Sequence, residues 1–203
     1  PRAIRDVYKR QVQDRRVRKS QQAIQSAFLE LLKGESFEKL TVQQLADKAD
    51  INRGTFYSYY LDKYDLLEQI ENQIIDDLQK FISDQHHREK KGIPTDVVKN
   101  IMVYLIEHIE ENRKSYYMLF SIGKASMIQE KLYMLIYNHL SLYKSTDDTI
   151  ETMPFSYFMS YVSGAGISLI KHWVQDSTPI SKEDLIDHFY NLMNNGTASM
   201  IKK

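Results

Sequence analysis

Arg53, Gly54, Thr55, Tyr57, Ser58 and Tyr59 lie within seven consecutive positions, and their chemistry suits gripping a polyanion and reading hydrogen-bonding edges. A guanidinium and two phenols supply donors for base edges and phosphates. The hydroxyls of Thr55 and Ser58 add short donors, and Gly54 leaves room for a backbone to come close. Phe56 and Tyr60 are four apart and share the opposite face, where core packing is expected. The stretch reads as a short helix over roughly 53–60, with Asn52 as its N-cap. Upstream, Thr41 is an N-cap for a helix that carries Val42, Leu45, Ala46 and Ala49 on one face. Asp50 stands where the chain must turn sharply. Lys63 follows at the start of a third helix. The whole is a helix-turn-helix running into a long helix, the arrangement a protein uses to enter a DNA major groove. Double-stranded DNA is the expected partner. Arg53, Gly54, Thr55 and Tyr57 are expected nearest the bases. Thr41, Ser58, Tyr59 and Lys63 are expected on the phosphate backbone, with Gln43 and Gln44 flanking and Asn52 counted in the same set.

Thr41, Leu45, Ala46, Ala49, Ile51, Asn52, Gly54, Thr55, Tyr57, Tyr59, Tyr60, Lys63 and Leu66 keep an ungapped spacing. It resembles the DNA-binding domain of the TetR/AcrR family of transcriptional regulators. One position departs: Asp50 stands where the family usually has Gly, and Asp tolerates the left-handed conformation better than most residues. The resemblance implies an all-α chain. An N-terminal three-helix domain would be joined by a long helix to a C-terminal helical domain for effector binding and dimerisation. It further implies a ligand-responsive repressor that binds a palindromic operator as a homodimer through its last two long helices. A small-molecule effector would release it.

Composition bounds the alternatives. Hydrophobic content of 42% and charged content of 27% are ordinary for a globular protein. The absence of Cys excludes disulfides, thiolate catalysis and thiolate zinc sites. No apolar run reaches the length of a membrane span and no signal peptide is visible, so a cytoplasmic chain without a membrane partner is expected. The chain begins at Pro1, and its first dozen residues carry little weight. A net charge of zero hides an asymmetry. Residues 1–60 hold 12 Lys+Arg against 7 Asp+Glu, and residues 61–203 hold 15 against 20. The positive half contains the helix-turn-helix, which fits phosphate binding.

Taken in order, residues 1–13 read as a flexible basic arm, 14–73 as the DNA-binding domain and 74–203 as the effector and dimerisation domain. The first helix is expected over Val17–Lys33, and one opened by Asp62 to about Gln85. A loop follows over 86–94, whose adjacent His86 and His87 cannot share a helical face and have no third ligand. Helices follow from Thr95, over Lys114–Ile122, from Ile128 to near Lys144, over Phe155–Gln175, and from a capping box at Ser181 to Asn195. Residues 145–154 read as loop. The count is nine helices and no strand.

No catalytic or metal constellation and no cofactor motif is present, so an enzyme is not expected. His108, beside Glu107, Glu110 and Glu111, reads as helix surface. The second half is rich in aromatics, and an effector pocket would draw on Tyr104, His108, Tyr117, Phe120, Tyr137, Phe158 and Tyr161, each of which also reads as core. Ser160, Gly164 and Ser168 recur at four-residue spacing and let another helix approach. With Leu185, Phe189 and Leu192 they form the expected dimer interface. The competing reading is a helical interaction module or coregulator that keeps the helix-turn-helix only as fold.

Overall fold

The computed structural model describes residues 2–88 and 97–196, and the chain divides into two units, residues 1–71 and 72–203. In the N-terminal unit α1 runs Arg2–Leu31, α2 Val42–Lys48 and α3 Arg53–Tyr57. Helix α4, Lys63–Arg88, begins in this unit and continues past its boundary. Of the flexible arm expected over 1–13, residues 2–13 are instead part of α1. Residues 2–13 contain neither Gly nor Pro and are rich in Arg, Lys and Gln, straight-chain residues that lose little freedom in a helix. Ile24 and Phe28 of α1 are buried, as are Phe37, Leu40, Leu45, Phe56 and Tyr60 of the same unit. Phe28 and Phe37 meet edge to face at 6.1 Å.

Caps set the short helices. Thr41 accepts from the Gln44 backbone N–H at 3.2 Å, and Gln44 Oε1 accepts from the Thr41 N–H at 2.8 Å, a reciprocal capping box. Helix α2 ends in a Schellman turn: the Ile51 N–H reaches the Ala46 carbonyl and the Asp50 N–H the Asp47 carbonyl. Asp50 sits at φ 54°, the left-handed conformation its place in the turn requires. Asn52 then caps α3, accepting from the Thr55 N–H at 2.7 Å. Asp62 caps α4 through the N–H groups of Tyr64 and Asp65.

In the C-terminal unit α5 spans Val97–Glu111, α6 Arg113–Ser121, α7 Ile128–Leu140, α8 Phe155–Gln175 and α9 Lys182–Asn195. The described residues hold nine α-helices, as expected. The loop expected over 86–94 is helical as far as Arg88, and its remainder lies outside the described residues. The absence of strands does not hold. Thr149–Ile150 (β1) and Met153–Pro154 (β2) pair antiparallel, with Thr149 opposite Pro154 and Ile150 opposite Met153. Glu151, at φ 52°, makes the reversal between them.

Helix α8 packs on α6 and α7, and α9 on α5. Trp173, the only tryptophan, is buried near the end of α8. Its indole N–H donates to the Ile180 carbonyl at 2.8 Å. The Arg113 guanidinium lies 4.4 Å from its ring centroid and donates to its backbone carbonyl. No described helix is long and apolar enough to cross a membrane.

Candidate nucleic-acid interface

Phe56 of α3 and Tyr60, beyond the end of that helix, turn inward, which sets its outward face. Arg53 and Tyr57, one turn apart, stand exposed on it, Tyr57 at 48%. Arg53 Nη2 donates to the Tyr57 hydroxyl at 3.2 Å, and the guanidinium carbon lies 5.7 Å from the ring centroid. The Tyr57 ring meets the buried Phe56 ring edge to face, 5.6 Å apart at 89°. Ser58 is exposed and donates to the Thr55 carbonyl at 2.7 Å. Thr55 donates to the Asn52 side chain at 3.0 Å. Tyr59 is half-buried against Tyr60.

Several of the expected contacts have local work of their own. Gln43 donates to Asp47 at 2.7 Å. Gln44, besides its capping box, donates to Glu35 at 2.7 Å. Gly54 was expected to admit an approaching backbone, but a Cβ there would meet Asn52 Oδ1 at 3.2 Å, so it also clears space for the cap. Lys63, expected against a phosphate, donates to the carbonyls of Phe37 and Glu38 at 2.8 Å and of Leu40 at 2.9 Å. An ammonium has three N–H donors, so all three are committed to one turn. Its charge also lies 5.0 Å from the Phe37 ring centroid and 5.5 Å from that of Tyr64. The place of Lys63 beside α3 suggests a phosphate contact. Its actual partners are 23 to 26 residues upstream, beyond any local signal.

The residues expected to line an effector pocket do not share one site. Tyr104, His108 and Phe120 are buried in one cluster with Phe81 and Tyr116. Tyr137 and Phe158 lie half-buried around Phe155, at 5.2 and 6.3 Å. Tyr117 and Tyr161 are exposed, at 52% and 59%.

His108 is not on the helix surface: it is 4% exposed. Its Nδ1 is 3.2 Å from the Tyr116 hydroxyl, and its Nε2 is 3.5 Å from Asn112 Nδ2, which itself donates to the His108 carbonyl. An Asn112 N–H group facing Nε2 favours the neutral ring with its proton on Nδ1. Burial pushes its pKa below the ordinary 6.5, against the pull of Asp77 and Glu111. Burial likewise raises the Tyr116 phenol.

An apolar cavity of about 20 Å³ lies among Ile101, Met102, Leu105, Val162 and Phe189, and none of the expected pocket residues lines it. On the expected dimer face, Ser160, Gly164 and Ser168 are exposed along α8. Leu185 and Phe189 are instead buried inside the unit, at 2% and 5%, and Leu192 is half-buried. Helix α9 turns its stripe toward α5, so those two side chains have little surface left for a partner.

Residues 24–70 match the model described as bacterial regulatory proteins, tetR family. Residues 96–195 match a transcriptional regulator C-terminal region. A relative, the HTH-type transcriptional regulator YxbF of Bacillus subtilis, is 33% identical over 61 residues. That match covers 30% of this chain and only 16% of YxbF. Among solved structures, a TetR transcriptional regulator from Streptococcus agalactiae is 25% identical with a TM-score of 0.61, covering 90% of this chain and 97% of its own. A TetR-family regulator from Syntrophomonas wolfei shares the fold at a TM-score of 0.72 and 16% identity, over 89% of this chain and 97% of that one. The dihydroxyacetone kinase operon activator DhaS shares it at 0.54 and 20%, again over 89% and 97%. With both halves matched and the helix-turn-helix geometry in place, the chain belongs to the TetR family of bacterial transcriptional regulators.

Proposed function

We propose that this chain binds a palindromic operator as a two-fold homodimer and is a repressor released by a small-molecule effector. The observation that carries the reading is the outward face of α3, where Arg53, Tyr57 and Ser58 stand over the buried Phe56 and Tyr60. Residues 14–73 form the DNA-binding domain on this reading, and 74–203 the effector and dimerisation domain. Arg53, Thr55 and Tyr57 face the bases. Thr41, Gln43, Gln44, Ser58 and Tyr59 flank them toward the phosphates. Asn52, Gly54 and Lys63 hold the frame. The protein works in the cytoplasm and catalyses nothing.

The effector enters the C-terminal unit. The apolar cavity there has room for no more than about one water-sized body. A ligand that takes this cavity displaces side chains such as Met102, and it favours a conformer other than this one. That is what release requires, because an effector shifts an equilibrium only by binding one state better. Retention on calf-thymus DNA at low salt, lost at moderate salt, tests DNA binding. Failure to bind any duplex at low salt overturns the reading. An operator-driven reporter then gives the sign of regulation: expression that rises on deleting the protein is expected, and expression that falls makes it an activator.

A further inference from the structure

We propose that Arg53 and Tyr57 form one reading unit, in which Arg53 takes a guanine of each half-site through O6 and N7 and Tyr57 is the positioning residue. The inference rests on the DNA-binding reading of α2 and α3.

The Arg53 guanidinium is held by a neighbour on its own helix. The Tyr57 ring is set edge-on against Phe56, which is fully buried. The ring is thereby steadied on one side although Tyr57 is exposed, and the hydroxyl at its far end accepts from Arg53 Nη2 at 3.2 Å. Among the described residues Arg53 makes no ion pair, so no carboxylate competes for the fork. An arginine held in this way has already lost part of the rotamer freedom that binding would otherwise cost.

The direction of the fork follows from its place. Arg53 is the first residue of α3, and the N-terminal residues of a groove-entering helix are those nearest base edges. The identity of the base follows from the donor pattern. A guanidinium has only donors, and one hydrogen bond to Tyr57 leaves an adjacent pair for two acceptors side by side. In the major groove guanine alone presents that pair. Adenine sets an amino donor beside N7, thymine sets a methyl beside O4, and cytosine offers a donor. Lys at position 53 would keep the charge and lose both the fork and its tether.

Duplexes selected from a random pool by the full chain test this. Each selected half-site is expected to share one guanine. Replacing it with 7-deazaguanine, which has carbon in place of N7, should weaken wild-type binding roughly five- to hundredfold. Arg53→Ala should bind the two duplexes alike. Tyr57→Phe keeps the ring and its contact with Phe56 but not the hydroxyl. Its discrimination between guanine and 7-deazaguanine should fall severalfold, with the unfolding midpoint of the wild type. Selected sites without a shared guanine, or a wild type indifferent to 7-deazaguanine, overturn the proposal. A Tyr57→Phe variant that discriminates like wild type removes Tyr57 from the unit. Salt-sensitive retention on calf-thymus DNA together with guanine indifference sinks only this inference. No retention at low salt sinks the DNA-binding reading beneath it.

Discussion

Lys63 shows how one side chain can serve an interface without facing it. Its three hydrogen bonds join the start of α4 to the turn before α2, the turn that presents the helix-turn-helix. Lys63→Ala should lower stability by roughly 1–3 kcal/mol, read from the denaturant midpoint, because three carbonyls lose a charged donor. A phosphate contact would make a different mark: the slope of log affinity on log salt would fall by about one. We expect that slope to stay at its wild-type value, and a drop of one would return Lys63 to the phosphate.

His108 sets a second test at this scale. Its folded pKa is depressed, so the neutral ring is favoured in the fold. The stabilisation is complete above the ordinary value of 6.5 and falls as pH drops from there toward the lower folded pKa. Below that it falls no further on account of this group. The groups facing the ring are Asp77 from α4, Glu111 on its own helix, and Tyr116 and Asn112 from the α6 end. His108→Gln should flatten the loss of thermal stability as pH falls below 6.5. An unchanged acid slope would place the titration elsewhere. The N-caps and the strained turn at Asp50 were legible in the sequence, since a cap acts on residues three positions away. His108 was not, because its neighbours Glu107, Glu110 and Glu111 give it the look of solvent-facing helix.

At the scale of elements, α4 is the one that belongs to both units. Ile74 lies at its middle and is 9% exposed. Ile74→Pro should cost about 3 kcal/mol or more by removing a helical hydrogen bond and clashing with the preceding turn. Operator binding should become weak or indifferent to effector, measured by anisotropy with and without ligand. A folded variant with normal affinity and normal response would take α4 out of the mechanism. Phe155–Gln175 was legible to the residue, and Lys182–Asn195 was fixed by its Ser181 cap and the terminal Gly196. Each carries strong apolar periodicity between clear stops. The start of α1 and the β1–β2 pair were missed for opposite reasons. A charged run without breakers carries no apolar signal, and a two-residue strand is too short to show alternation.

At the scale of the whole molecule, the proposed dimer needs a face on which two copies can meet. Gly164 is interior to α8, and a Cβ there would touch nothing within 4 Å in its own chain. Glycine in a helix interior costs roughly 0.5–1 kcal/mol relative to alanine. Among the described residues nothing recovers that cost. A second copy crossing at Gly164 would, and a two-fold dimer through the exposed face of α8 is the expected state. Sedimentation should show about twice 23.9 kDa, and Gly164→Leu should give monomer with weaker operator binding. A wild-type monomer at micromolar concentration would overturn the dimer. A Gly164→Leu dimer of full affinity would move the contact off this face. Spacing along one helix suffices to put Ser160, Gly164 and Ser168 on a shared face, and all three are exposed. The burial of Leu185 and Phe189 within the unit was not legible, because an amphipathic stripe says that a face is covered and not by which helix. The scattered aromatics of the expected pocket fail for the same reason: their shared chemistry carried no information about which of them are neighbours.

The lone indole gives the molecule a built-in optical label. Trp173 belongs to the C-terminal unit, and the DNA-binding helices have no tryptophan. Excitation near the red edge of protein absorption therefore sees one environment, the joint that Arg113 and the Ile180 carbonyl make around the end of α8. A titration with operator duplex followed at this wavelength starts blind to the recognition helix. Any change in emission beyond absorption by the DNA has crossed from one unit to the other. Its amplitude, compared with that of an effector titration, measures the conversation between the two ends of the chain without attaching a dye to either.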